Sequence, residues 1–471
     1  MKRILLLGLS PLPTVNDRFT LAPGKRTWQF ASPLLEKGHR ICLVCSRHLA
    51  AKQSKDREKI EAEEHGNLIY YDVTQDLFEN KTWLQQIHDN FKPDCIVGAT
   101  VYPSYIATKL RTDRPIWADL FGHIMAEAQT KSQVFKDNYY LSQLWNQEKT
   151  ILDRADIFSV VAKPQSYATI GELGTRFRLN RATTGYQFTH VIPCSINENT
   201  VFDQSKQTRI LRGVHVPDDA FIILWSGGYN TWADVKTLFK ALENLFQSHP
   251  NAYFVSTGGE IASHDEITYQ FFLNQIDQSI YKNRFIMRGW IPFSEIPSYL
   301  HEANIGVNID LFSYEGILGS RNRLLDWMQF KLPMLTSELC DLSLIIKNNS
   351  LGLTFEPENV DSLVTALTQA INHPDMLHSM AQKAFDYCLE HFTSEMTTRP
   401  LQKWVENPCR APDYKDRYNP ESWSHSDHFV NTLSHYRASI MNNIKTGGFL
   451  HTIKWILART PGTRRFSNNN R

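Results

Sequence analysis

No Asp-x-Asp triplet occurs anywhere in these 471 residues. Paired carboxylates of that kind commonly hold the divalent ion that neutralises a nucleotide diphosphate. Any phosphate chemistry here is therefore expected to rest on helix dipoles and arginines, with no metal and no further cofactor. Long apolar runs are missing too: Ile4–Leu7 and Leu9 are interrupted by Gly8 and stopped at Pro11, too short for a signal-peptide core or a membrane span. A buried first strand accounts for them. Neither sign of charge dominates, and a net charge of +1 excludes a global pull toward nucleic acid or anionic membrane. Cysteine is sparse: seven residues, scattered along a large chain, suit free thiols in a reducing, cytoplasmic compartment. Cys42 and Cys45 have the spacing of a redox or metal pair, but they sit in RICLVCS, which reads as a buried strand. The first strand is followed by LSPLPTVND with no G-x-G-x-x-G, which argues against a dinucleotide-dependent oxidoreductase.

What is present is regular alternation. The length calls for more than one core, and the hydrophobic fraction of 42% is ordinary for a globular chain. Short apolar runs at 3–8, 40–45, 67–73, 94–99, 116–119, 157–161 and 190–193 read as strands, and amphipathic stretches at 25–37, 81–91 and 138–155 read as helices. Strands separated by helices imply parallel βαβ units covered on both faces. After a polar stretch the pattern resumes, with strands at 220–226, 252–256, 284–288, 304–309, 333–336 and 352–355. The fold class is therefore α/β, with two Rossmann-like domains facing across a cleft. The expected boundaries are 1–198 for the first domain, 199–217 for a linker, 218–391 for the second domain, 392–427 for a segment crossing back, and 428–471 for a tail.

The tail has no Asp or Glu from His428 onward but carries Arg437, Lys445, Lys454, Arg459, Arg464, Arg465 and Arg471. Phe449, Ile453, Ile456 and Leu457 fall on one helical face beside Trp455. Such a segment either lies on an anionic bilayer surface or packs on the body of the protein. His425, Asp427 and His428 lie in a polar, loop-like stretch that reads as solvated.

The most telling stretch is GSRNRLLDWMQFKLPML, residues 319–335. A helix beginning near Ser320 or Asn322 points free N–H groups and its positive dipole end at an anion, with Arg321 and Arg323 alongside and Asp326 one turn further. Together they suit a diphosphate and a vicinal diol. An ordinary capped helix burying Leu324, Leu325, Met328 and Leu332 fits the same pattern. Three other segments fall at strand ends of the second domain. WSGGYNTWADV places Gly227 and Gly228 before a helix expected near Thr231, STGGEI repeats the arrangement, and RGWIP offers the Trp290 ring as a platform for a base.

On these residues the chain resembles the retaining glycosyltransferases of the GT-B fold, the large group 1 (family 4-like) class carrying two acids near the donor. The spacing of Arg323, Asp326 and Pro333 matches that family's basic residue, second acid and proline, and Glu315 before Gly316 matches its first acid. The resemblance implies transfer of a sugar from a nucleotide-diphosphate sugar to a glycan, lipid or small-molecule acceptor. Glu315, His123 and Arg323 would be catalytic; Gly227, Gly228, Trp290, Arg321, Arg323 and Asp326 would bind the donor. Gly24, in APGKRTWQF, would lie on the acceptor side. Three departures stand out: ten residues separate the two acids where the family usually has seven, the second is Asp, and Gly228 stands where an arginine is usual. These leave a catalytically silent sugar-nucleotide-binding or scaffold protein as the alternative.

Overall fold

The structure is a computed structural model that describes residues 1–13, 22–47, 62–196, 209–261 and 264–415, together with 440, 441 and 444. The tail face, the 425–428 stretch and most of the expected linker lie outside the described residues. Residues 1–415 form one compact unit and 416–471 another. Among the described residues, no helix is long and apolar enough to cross a membrane.

Eight strands build the first sheet: β1 Arg3–Ser10, β2 Arg40–Arg47, β3 Glu63–His65, β4 Leu68–Val73, β5 Cys95–Gly98, β6 Ile116–Asp119, β7 Ile157–Val160 and β8 Thr189–Val191. Their order is β3-β4-β2-β1-β5-β6-β7-β8, with only β3 antiparallel to its neighbour. The central strands are apolar on both faces because helices cover both sides, so Ile4 and Leu6 join one core layer and Leu5 and Leu7 the other. Strand β3 was not foreseen. It is three exposed polar residues at a sheet edge, where charge discourages further pairing.

The second sheet holds β9 Phe221–Ser226, β10 Ala252–Thr257, β11 Phe285–Met287, β12 Ile305–Asn308, β13 Met334–Ser337 and β14 Leu353–Phe355, all parallel, in the order β11-β10-β9-β12-β13-β14. The chain order reverses between β9 and β12, as it does between β1 and β5. In doubly wound sheets such reversals open a crevice at the carboxyl ends of the strands.

Two segments differ from the sequence expectation. The helix expected near Thr231 begins at Val235, because the Asp234 carboxylate accepts the Thr237 N–H at 3.1 Å and so caps it. The intervening residues pack instead: Tyr229 is buried and stacks on Trp225, ring centroids 4.7 Å apart. After His391 the chain returns to the first domain as helices Ser394–Thr397 and Arg399–Glu406. Leu401, Trp404 and Val405 are buried with Ile4, Leu6, Phe30 and Trp117. Gln29 Nε2 donates to Thr397 Oγ1 at 2.8 Å, and Arg178 forms a buried ion pair with Asp413.

Candidate active site

The four strand ends singled out in the second domain converge. Gly227 ends β9 with φ +94°, a backbone conformation open to glycine at little cost. The turn after β10 lies against it so closely that a Cβ on Gly258 would sit 1.7 Å from the Gly227 carbonyl oxygen. Gly228 lies under Ile261 and the Trp290 ring, and Tyr229 N–H donates to the Gly259 carbonyl at 3.1 Å. Trp290 is half exposed at the rim, its Nε1 donating to the Glu260 carbonyl at 2.7 Å. The two glycine turns therefore form one wall made largely of backbone.

Opposite that wall stands the helix Asn322–Gln329. No side chain caps its N-terminus, so the dipole end expected there is open, in contrast to the helix that Asp234 closes. Arg323 reaches from its first turn to the glycine wall, with Nη2 donating to the Gly228 carbonyl at 3.1 Å and the guanidinium lying 4.1 Å over the Trp225 ring. Its Nη1 is shielded from solvent yet has no hydrogen-bond partner, and the same holds for Asn322 Oδ1. Burial lowers the Arg323 pKa to about 10, which leaves it a cation at neutral pH. A buried, half-satisfied guanidinium at an open helix N-terminus is the chemistry of an anion site.

Arg321 has a different employment. Its Nε donates to Asp310 Oδ1 at 2.9 Å, while Nη1 and Nη2 donate to Glu315 Oε1 at 3.1 Å and Oε2 at 2.7 Å. All three side chains are buried. Burial works against the Arg321 charge, but Asp310 and Glu315 outweigh it and raise its pKa. One cation cannot fully serve two buried carboxylates. Burial pushes the Glu315 carboxyl up to about 7, opposed by Arg321 and reinforced by repulsion from Asp310 and Glu127. The expectation that Arg321 holds a donor thus meets a correction: its donors are spent on Asp310 and Glu315. Asp310, which ties β12 to this cluster, was missed in the sequence. An acid directly after the apolar run NIGVNI was the available signal.

Asp326 faces the first domain. Lys25 Nζ lies 3.0 Å from its Oδ1 and 3.2 Å from its Oδ2, bridging the two domains across the cleft. Lys25 sits beside Gly24, whose close packing explains the glycine: a Cβ there would lie 1.9 Å from the Pro11 carbonyl oxygen. Gly24 therefore lets the first helix, Ala22–Glu36, approach the end of β1 and deliver Lys25 to the cleft. The same helix is fixed by Arg26, fully buried and paired with Asp119 at 2.7 Å.

His123 departs from its expected role. Its Nδ1 accepts the Ala126 N–H at 3.2 Å, capping the helix Ile124–Phe135, and its Nε2 lies 3.1 Å from Glu172 Oε1. Both ring nitrogens are engaged within the first domain. Burial opposes the imidazolium, but Glu172 and Glu148 outweigh it and raise the His123 pKa. Burial, with repulsion from Glu172, pushes the Glu148 carboxyl up to about 8.

Two Rossmann-like domains facing across a cleft define the GT-B architecture, and solved structures of that class superpose over most of the chain. Sucrose-phosphate synthase from Thermosynechococcus elongatus matches with a TM-score of 0.64 at 14% identity, over 86% of this chain and 98% of that one. HepE from Anabaena, solved with UDP and glucose, matches with a TM-score of 0.58 at 14% identity, over 86% and 100%. The UDP-forming trehalose-phosphate synthase from Burkholderia vietnamiensis gives 0.62 at 10% identity, over 86% and 100%. At these identities the likeness establishes the fold. None of the curated proteins matches the sequence significantly. Residues 207–387 match the family "Glycosyl transferases group 1". That match lies in the second domain, and the fold of the two domains together is the one these glycosyltransferase structures share.

Proposed function

We propose that this chain moves a sugar from a nucleoside-diphosphate sugar to an acceptor with retention of anomeric configuration, and that the diphosphate is held without a metal ion. The observation that carries this reading is Arg323, in the first turn of an uncapped helix, whose Nη1 is shielded from solvent without a partner while its Nη2 donates to the Gly228 carbonyl. There the diphosphate gains a fixed cation and helix N–H groups, which stabilise the charge developing on the leaving oxygen without reorganisation. Asp326 takes the ribose diol and Trp290 stands beside the base. Glu315, immobilised by Arg321, orients the sugar. Because its carboxylate is locked in that bidentate pair, Glu315 is a poor nucleophile. The acceptor then attacks on the face the diphosphate leaves, with a diphosphate oxygen taking its proton. A trehalose-6-phosphate synthase of this fold is a case of glycosyl transfer with retention.

The first test is a screen of nucleoside diphosphates by thermal stabilisation. A ligand at one hundred times its Kd adds about 2.7 kcal/mol, a readily measured shift. Magnesium or manganese should leave the affinity of the best nucleotide unchanged, whereas an affinity that depends on either ion contradicts the metal-free diphosphate site. Product NMR then reads the anomeric configuration, and an inverted product defeats retention. Nucleotide-sugar binding with neither transfer nor donor hydrolysis would support the silent binding protein instead. We propose cytoplasmic residence, with the basic tail at 428–471 giving peripheral contact with anionic membrane. Equal sedimentation with anionic vesicles of the full chain and a truncation at Met441 removes that contact.

A further inference from the structure

Beneath the helix that carries Glu315, three helices of the first domain bring together a cluster the transfer reaction does not use. His123 stands at the start of the helix Ile124–Phe135, Glu148 on the helix Tyr139–Arg154, and Glu172 on the helix Lys163–Thr175. One ligand atom from each lies within 4.8 Å of the other two. Glu148 is 96% buried, and among the described residues it makes no hydrogen bond; only the charges of Glu172 and His123 bear on it. Glu172 Oε2 is also shielded from solvent without a partner. Two carboxylates thus share at most one imidazolium in a largely buried site, an arrangement short of positive charge.

We propose that His123 Nε2, Glu148 and Glu172 bind a single divalent transition-metal ion of the zinc class, separate from the donor site. A tetrahedral ion with bonds of about 2.0–2.2 Å keeps adjacent ligand atoms about 3.4 Å apart. His123 and Glu172 already stand at 3.1 Å, and the Glu148 oxygen lies within 4.8 Å of both, so closing the set requires it to approach. One imidazole with two carboxylates favours such an ion over calcium or magnesium, which prefer all-oxygen shells. A cavity of about 480 Å³, lined by Gln129, Asn138, Tyr314 and Leu318, opens beside His123. Binding carries one local cost. With metal on Nε2, the ring proton moves to Nδ1, and the cap on Ala126 N–H is lost. The bound ion would tie three helices of the first domain together where the helix Tyr314–Leu318 of the second domain packs against two of them.

The test uses the full chain, stripped with EDTA, desalted and titrated with zinc chloride by calorimetry. One equivalent should bind with micromolar or tighter affinity and raise Tm. Cobalt should give the visible absorption of a tetrahedral nitrogen and oxygen set without a thiolate charge-transfer band. Glu148→Gln and Glu172→Gln should each weaken zinc binding at least tenfold, whereas Cys409→Ser and the pair His425→Ala, His428→Ala should leave it unchanged. Glu148→Gln keeps the size of the side chain, and its melt without metal reports folding separately. If no equivalent of zinc binds, or if both Gln variants bind zinc like the parent, the proposal is overturned and Glu148 is neutralised by a proton instead. Neither result bears on nucleotide affinity, which is read separately.

Discussion

Arg321 and Arg323 are two residues apart, and their surroundings give them opposite work. Removing Arg321 leaves Asp310 and Glu315 buried without their cation, a loss on the order of 3–5 kcal/mol. Arg321→Ala should therefore lower Tm sharply, and Arg321→Lys should not restore it, because an ammonium cannot serve both carboxylates with the guanidinium's geometry. Arg323 gives up only one hydrogen bond, to a carbonyl. Arg323→Ala should cost about 1 kcal/mol of stability while lowering kcat roughly 100-fold, as for other fixed donors to a developing charge. Melting curves and initial rates on the two variants separate the roles, and unchanged transfer in Arg323→Ala sinks the diphosphate assignment. Glu315 adds a pH signature. Its carboxyl keeps its proton up to about 7 when folded, against 4.5 for the free side chain. Between those values the folded state binds more protons, so this group's contribution favours folding below the lower value and is lost as pH rises to the upper one. The urea midpoint of the parent relative to Glu315→Gln should therefore fall from about pH 5 to about pH 8; a difference that rises over that range contradicts the buried, raised carboxyl. The sequence showed both arginines as candidate anion ligands. It did not show that Asp310, eleven residues earlier and just past the end of β12, would claim one of them.

At the scale of elements, the donor wall is two strand-end turns in backbone contact. Gly258→Ala drives a Cβ into the Gly227 carbonyl, and neither backbone can yield without separating β9 from β10 at their ends. We expect a loss of about 1–3 kcal/mol together with loss of nucleotide-induced stabilisation. Gly259→Ala meets its nearest neighbour, the Trp290 ring, at 3.4 Å and should be tolerated. Equal nucleotide shifts in both variants would mean that the wall does not shape the donor site. The strands were legible because each is a short apolar run bounded by polar residues, and parallel packing requires that pattern. The glycines were legible as close approaches. The start of the helix Val235–Ser248 was not, because the glycine pair is the stronger local signal, although Asp234, three residues before Thr237, stands where a capping acid belongs. A histidine after a strand suggested a cleft, and His123 does line a cavity with Tyr314 and Leu318, but its further use as a helix cap and partner of Glu172 depends on a helix nearly fifty residues further on.

At the scale of the molecule, contacts between distant parts of the chain are what the sequence concealed. Lys25 and Asp326 are 301 residues apart, and no local pattern links them. The return of the chain after His391 is similar. That segment lacked clear periodicity because it consists of two short helices, yet Leu401, Trp404 and Val405 complete a core layer laid down by β1 and β6. Fully burying three such side chains contributes roughly 1.5–3 kcal/mol each, comparable in total with the roughly 5–15 kcal/mol that stabilises a whole domain. The buried pairing of Arg178 with Asp413 adds a charge that cannot lose its partner cheaply. A chain ending at His391, although it retains every strand of both sheets, should therefore expose the first domain's core, bind the dye ANS and aggregate. A chain ending at Lys415 keeps the whole compact unit and should melt cooperatively with the same nucleotide-induced shift as the full protein. Trp404→Ala in the full chain tests the same layer without truncation. Its melt should fall while nucleotide binding below the transition persists, because Trp404 packs on Trp117 at 5.4 Å, in the core of the first domain and not at the glycine wall of the second. If the chain ending at His391 folds and binds nucleotide normally, the returning helices are accessory, and the first domain must be stable on the core formed by its own strands and helices.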